Sequence, residues 1–172
     1  GVGELISIVK RHKEWDKGWN YRGMGQFGTS SSSLDNYIIA MGRCSKNIVL
    51  PELERLSKSL TEKSGFSHYR ALAIACETIG DTKAADLLMN NMQKIGKDYA
   101  TITMKEAREK MIAGSTDNKT RNDSLKELVT ARALYRCGDK NGVGKKTLEK
   151  YSKDLRGHYA LHAQSILGES QS

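Results

Sequence analysis

Apolar residues along most of this chain recur every three or four positions, which is the spacing of one face of an α helix. In the stretch 66–79 this apolar face is formed by Leu72, Ala75, Cys76 and Ile79. The same spacing predicts helices over residues 3–15, 34–44, 49–60, 66–79, 82–95, 103–112, 125–137, 144–155 and 157–167. No stretch has the sustained alternation of a half-buried strand, so the sequence predicts an all-α fold.

Polar residues with capping chemistry mark several of the predicted helix ends. Ser32-x-x-Asp35 and Thr103-x-x-Glu106 have the spacing of a capping box, in which two side chains satisfy free amides at a helix start. Pro51 is the only proline, and we expect it in the first turn of its helix, where its missing N–H breaks no hydrogen bond. These signals place helix starts near residues 34, 49 and 103.

Parts of the sequence repeat. The segment "HYRALAIAC" from His68 is matched by "HYALHAQSIL" from His158, and Gly80-Asp81 aligns with Gly138-Asp139. With a weaker copy around Ile38, the repeat unit is about 32–35 residues long, and an insertion around 97–123 holds a polar loop at 113–123. A unit of two helices buries its apolar face only against neighbouring units, so the repeats predict an αα-hairpin repeat solenoid, or α-α superhelix.

The stretch "RALAIACETIGDTKAADLL", residues 70–88, resembles a HEAT-like repeat of the short type found in phycobilisome-lyase-like proteins. The likeness lies in small residues of the first helix, then Gly-Asp, then alanine and leucine in the second helix. It implies a HEAT-like solenoid over residues 34–167. An N-terminal helix with a glycine- and aromatic-rich irregular segment would precede it over 1–33, and a tail would follow over 168–172.

A longer resemblance rests on three segments: "GWNYRGMGQFGTSSSSLDNYIIAMGR" from residue 18, "HYRALAIACETIGD" from residue 68, and the stretch 131–167 beginning "ARALYRCGDKNGVG". Together they resemble the C-terminal helical region of a family of large FAD-dependent oxidoreductases. In that family a Rossmann-type domain near the N-terminus binds the flavin, and this chain has no such domain. The resemblance therefore implies an accessory domain without a cofactor of its own, with FAD in an N-terminal part of the parent protein.

Gly23, Gly25 and Gly28 have the G-x-G-x-x-G spacing of a dinucleotide-binding loop. Such a loop functions between a buried strand and a helix N-terminus, whose amides face the pyrophosphate. Here "DKGWNY" precedes the glycines, "TSSSS" delays the next helix, and no βαβ unit follows. The context favours a glycine-rich loop whose aromatic residues pack on the first repeat or contact a neighbouring domain.

Large aromatic residues and one arginine in and beside this loop form the candidate interface. They are Trp15, Trp19, Tyr21, Arg22 and Phe27. Tryptophan, tyrosine and arginine are the residue types that contribute most to protein–protein binding. The sequence leaves open whether the aromatic residues are buried within the chain or contact a partner, which would be another domain of the parent protein or a separate protein.

No catalytic, cofactor-binding or metal-ligating residues are predicted. His158 and His162 are one helical turn apart, a spacing that two metal ligands can share, but no third ligand is evident nearby. His158 also matches His68 in the repeat, which favours a structural role for both residues. The three cysteines are far apart and contain no C-x-x-C pair, which disfavours a zinc site or a disulfide framework.

The net charge of +8 is spread along the chain without long basic runs, which disfavours nucleic-acid binding. No apolar run approaches the ~20 residues of a membrane helix, so we expect a soluble protein. Its location is unknown, and extracytoplasmic only if an upstream signal peptide was removed. We expect a non-catalytic accessory or protein-interaction domain, not an enzyme on its own. The alternative is a free-standing basic scaffold that binds nucleic acid or acidic protein partners.

Overall fold

The computed structural model describes residues 1–12, 15–16, 32–112 and 118–169. Across these ranges the regular elements are all α helices, which confirms the predicted all-α class. In chain order they are α1 (Val2–Arg11), α2 (Ser33–Met41), α3 (Lys46–Ser59), α4 (Phe66–Ile79), α5 (Lys83–Ile95), α6 (Met104–Ile112), α7 (Asn118–Arg136), α8 (Val143–Tyr151) and α9 (Gly157–Leu167).

Both predicted capping boxes are present. At the start of α2, Ser32 Oγ accepts from the Asp35 amide at 3.1 Å, and Asp35 Oδ2 accepts from the Ser32 amide at 3.0 Å. At the start of α6, Thr103 Oγ1 accepts from the Glu106 amide at 3.2 Å, and Glu106 Oε2 accepts from the Thr103 amide at 3.0 Å. Each box satisfies amides that lack a partner within the helix, and so fixes where the helix begins.

Two helices begin earlier than the sequence predicts. Helix α3 begins at Lys46, so Pro51 lies in its second turn rather than its first. Helix α7 begins at Asn118, inside the predicted polar loop. Ser124, just before the predicted start at residue 125, has distant partners: its Oγ lies 3.2 Å from the Tyr99 carbonyl oxygen and accepts from Arg156 Nη1 at 3.0 Å. Such tertiary contacts outweigh the loop preference of the local composition.

The two Gly-Asp pairs make similar junctions between helices. Gly80 and Gly138 follow α4 and α7 with positive φ angles of 62° and 91°, a conformation that favours glycine because it has no Cβ. The aspartate that follows then accepts from an amide at the start of the next helix. Asp81 Oδ1 accepts from the Lys83 amide at 2.8 Å, and Asp139 Oδ1 accepts from the Gly144 amide at 2.8 Å.

Alternate helices pack on one another in succession. Helix α2 packs on α4, α4 on α7 and α7 on α9, while α3 packs on α5. The consecutive helices α4 and α5, α7 and α8, and α8 and α9 also pack together. Helices α5 and α8 both pack on α7 but have no comparably extensive contact with each other. The surface between α5 and α8 is therefore open.

The core consists of two hydrophobic clusters that share α7. The first is built mainly from α2, α3, α4 and α5, and α7 contributes Leu134 to it. The second joins α7, α8 and α9, and α7 contributes Leu128 to it. Tyr69 and Tyr151 are the largest fully buried side chains of the two clusters. Helix α7 therefore links the two clusters into one packed body.

Two glycines permit close approaches between backbones. A Cβ on Gly42 would lie 2.7 Å from Ala75 Cα, and a Cβ on Gly144 would lie 2.8 Å from the Tyr135 amide nitrogen and 2.9 Å from the Ala131 carbonyl oxygen. Carbon atoms do not approach backbone atoms this closely without strain. Glycine is therefore needed where the end of α2 meets α4 and where the start of α8 meets α7.

Candidate functional site

Trp15, a member of the candidate interface, lies against the helical body. Its indole Nε1 donates to Ser59 Oγ at 2.7 Å, and its ring centroid is 4.4 Å from that of His68. The side chain is partly buried. The other candidate residues and the glycine loop lie outside the described residues: Trp19, Tyr21, Arg22, Phe27 and the range 23–28.

His68 on α4 connects Trp15 to the capping box of α2. The imidazole is buried, with Nδ1 2.6 Å from Asp35 Oδ1 and Nε2 3.0 Å from the Asp16 carbonyl oxygen. A carbonyl oxygen and an ionised carboxylate only accept hydrogen bonds, so each contact needs a hydrogen on the ring. With a hydrogen on each ring nitrogen, His68 donates to both oxygens, and the Trp15 ring lies beside the imidazole at a tilt of 41°.

The Asp35 carboxyl is ionised in this arrangement. Burial raises the pKa of a carboxyl group, but the hydrogen bond and positive charge of His68, with further hydrogen bonds from Ser67 and Ser32, outweigh burial here. The pKa of Asp35 therefore lies below its ordinary value of 3.8. Asp35 thus caps its own helix and also binds a histidine on a different helix.

The described residues on either side of the range 17–31 lie together. Asp16 Oδ2 accepts from the Leu34 amide at 3.0 Å, while the Asp16 carbonyl is held by His68. Asp16 and the start of α2, on either side of this range, are therefore held at one place on the helical body. We refer to Trp15, Asp16, Asp35 and His68 as the clasp.

His158 and His162, the pair considered as metal ligands, do not belong to a larger group of ligands in the part of the chain that the structure describes. Among the described residues, no group of three or more histidine, cysteine, aspartate or glutamate side chains is arranged to hold a metal ion. His158 is exposed, whereas His162 is partly buried, with Nε2 3.3 Å from Arg132 Nη1. Burial and then the charge of neighbouring arginines lower the pKa of His162. Although His158 matches His68 in the repeat, the two residues have different environments.

The three cysteines are free thiols. Cys76 and Cys137 are buried, and burial raises the pKa of both, that of Cys137 to about 12. Cys44 is partly buried at the end of α2. Because the thiolate is the reactive form, the two buried cysteines are poor nucleophiles at neutral pH.

Many basic side chains are paired with acids on other helices. Arg132 and Arg136 both contact Glu77, at 2.5 Å and 3.4 Å, and Arg136 also contacts Glu169 at 2.6 Å. Further ion pairs join Lys46 to Asp81, Lys140 to Asp86 and Lys150 to Asp98. Over the described residues, these pairs neutralise some of the positive charge locally, while the net charge of the chain remains +8.

A groove of about 560 Å³ occupies the open surface between α5 and α8. Its apolar lining comes from Met89 and Met92 on α5 and Val143 on α8. The basic residues that line it are Lys97, Lys146 and Lys150. Methionine side chains adapt to irregular shapes, and exposed lysines supply positive charge, so the groove combines an adaptable apolar surface with a basic rim.

Glu127 on α7 is the buried carboxyl group of this groove, with 2% of its surface exposed. Its Oε1 accepts from the Tyr151 hydroxyl at 2.7 Å and from the Tyr99 amide at 3.2 Å. Burial raises the pKa of Glu127 above its ordinary value of 4.5 despite these hydrogen bonds. The two bonds connect α7 to α8 and to the turn after α5, and so hold the frame of the groove.

The sequence predicts the cap at Asp35 and favours a structural role for His68, but it gives no sign of the contact between His68 and Asp35 or of the groove. The spacing of Met89 and Met92 places them on one face of a helix, yet gives no sign that α5 and α8 stand apart. The described helices include none that is long and apolar enough to cross a bilayer. Comparisons of the chain with protein-family models, curated proteins and solved structures found no match.

Proposed function

We propose that this chain is a non-catalytic accessory domain with a HEAT-like solenoid fold. It would contact another domain of a larger protein of the FAD-dependent oxidoreductase kind through its N-terminal aromatic segment. The flavin would bind in that other domain, and no residue of this chain would take part in the chemistry. The sequence resemblance motivates the choice of parent protein, and features of the fold support the role.

The packing order supports the solenoid. Successive first helices of the proposed units, α2, α4, α7 and α9, pack in a row, and the second helices α3 and α5 pack beside them. The similar junctions at Gly80-Asp81 and Gly138-Asp139 fit a unit that recurs along the chain. Stacked helix pairs offer extended surfaces that repeat proteins use for binding.

The clasp is the observation on which the proposed contact rests. It fixes both ends of the segment 17–31 at one place on the helical body. Surface segments whose ends are close together are frequently functional. The segment contains Trp19, Tyr21, Arg22 and Phe27, residue types that dominate binding energy at interfaces. A firmly anchored base reduces the entropy lost when such a segment binds a partner.

Hydrogen exchange of the 172-residue chain and of the product of the gene's complete reading frame tests this proposal. We expect amides of 17–31 to exchange more slowly in the complete protein, because the partner domain covers them. The double substitution Trp19→Ala and Phe27→Ala should remove that protection. Amides of α4 should exchange equally in both forms and serve as the internal control.

Equal exchange of 17–31 in the two forms would contradict the contact. A reading frame that encodes no further domain, or a complete protein without bound flavin, would contradict the oxidoreductase parent. The alternative, a basic scaffold, requires salt-dependent binding of the isolated chain to duplex DNA or to an acidic protein. The spread of the basic residues, without long basic runs, leads us to expect no such binding to DNA.

A further inference from the structure

The groove between α5 and α8 has the dimensions of a small-molecule site. Its volume of about 560 Å³ lies within the range of about 300–1,000 Å³ typical of ligand pockets. The lining residues span two turns on each wall, from Met89 to Gly96 on α5 and from Val143 to Lys150 on α8. At 1.5 Å per residue this is a length of roughly 10 Å.

Ion pairs join the two walls near both ends of the groove. Lys140 pairs with Asp86 one turn before Val143 and Met89, and Lys150 pairs with Asp98 at the other end. These bridges favour a compact occupant over a long peptide that would extend past the ends. They also engage Lys150, which leaves Lys97 and Lys146 as the lining lysines without an ion-pair partner among the described residues.

The lining also indicates the chemistry of the occupant. Met89, Met92 and Val143 suit a hydrocarbon chain or ring, and burial of that surface would supply most of the binding energy. Two exposed lysines line this surface, and their positive charge favours an anionic occupant. The Oε1 of Glu127 already accepts two hydrogen bonds from the protein itself, so this oxygen is engaged before any ligand binds. A positively charged head group would also be repelled by the lysines.

We propose that this groove binds a small amphiphilic anion, such as a medium-chain carboxylate. Its apolar body lies against Met89, Met92 and Val143, and the positive charge of Lys97 and Lys146 attracts its carboxylate. The proposal concerns a surface separate from the clasp. It stands whether or not the chain is part of an oxidoreductase.

Methyl NMR of the chain labelled with carbon-13 at its methionine methyl groups tests the site. Titration with octanoate below its micelle concentration should shift the signals of Met89 and Met92 in a saturable manner. Met104 and Met111, which are 63% and 74% exposed on α6, report nonspecific association and should not shift. Octanol has the same chain without the charge and should bind more weakly.

The double substitution Lys97→Ala and Lys146→Ala should weaken octanoate binding about fivefold, since exposed ion pairs contribute modestly. The control Lys58→Ala with Lys83→Ala removes the same charge elsewhere and should leave binding unchanged. Unshifted signals of Met89 and Met92, equal shifts at Met104 and Met111, or equal affinity for octanol would each overturn the proposal. The proposal would also be overturned if an acidic helical peptide displaced octanoate and other carboxylate amphiphiles did not.

Discussion

The substitution Asp35→Ala should destabilise the protein more than its place in a short helix suggests. It removes the acceptor for the Ser32 amide, and losing a capping interaction costs about 0.5–2 kcal/mol. It also leaves buried His68 Nδ1 without the oxygen now 2.6 Å away, and an unsatisfied buried donor costs about 1–3 kcal/mol. The expected loss of unfolding free energy is about 3 kcal/mol, near the middle of these ranges.

Urea denaturation followed by circular dichroism measures this loss, and thermal unfolding should show Tm lower by about 6–12 °C for a chain of this length. The control is Asp86→Ala, which removes an exposed ion pair with Lys140 and should cost under about 1 kcal/mol. A variant Asp35→Ala that loses no more stability than Asp86→Ala would refute the reasoning.

The pH dependence of stability gives a second measure of the same group. The pKa of Asp35 is lower in the folded state than its ordinary value, so the unfolded state binds more protons at acid pH. The stability that the ionised Asp35 carboxylate contributes is therefore present above about pH 4 and is lost as the pH falls through the lowered pKa. The free energy of unfolding of the variant Asp35→Asn should fall less steeply with decreasing pH than that of the wild type. Identical slopes for the two proteins would contradict the lowered pKa of Asp35.

Further predictions concern other groups. Gly144→Ala should destabilise the protein by about 1–3 kcal/mol because its Cβ would meet the α7 backbone, whereas Gly3→Ala, with nothing within 4 Å, should be neutral or stabilising in urea denaturation. A thiol reagent should label Cys44 rapidly in the native protein, and equal labelling of all three cysteines would contradict the burial of the other two.

Local signals predicted most of the helices and several of their ends. The ranges 66–79 and 157–167 match α4 and α9, because an apolar face and flanking glycines lie within the same short stretch. The capping boxes are equally local, since each involves residues three positions apart. The start of α7 was missed because polar residues before residue 125, such as Ser124, contact residues far away in sequence, Tyr99 and Arg156.

The contacts of the candidate site join residues that are far apart in sequence, and no local pattern predicts such contacts. His68 and Asp35 are 33 positions apart, and although the sequence marks Asp35 as a cap and His68 as a repeat position, it does not connect the two residues. The groove is a space between α5 and α8, so it depends on how two helices pack on α7 rather than on either sequence. Trp15 was predicted to matter, but its contacts with Ser59 and His68 came only from the fold.

The contact between Asp16 and Leu34 makes the helical body a convenient scaffold for protein engineering. Because the amide of Leu34 lies 3.0 Å from Asp16 Oδ2, a linker of about three or four residues is long enough to replace the range 17–31. Other sequences of similar length could be grafted between the same two anchor points. The range 17–31 is in this sense an exchangeable module, because different binding sequences can be displayed between the same two fixed ends.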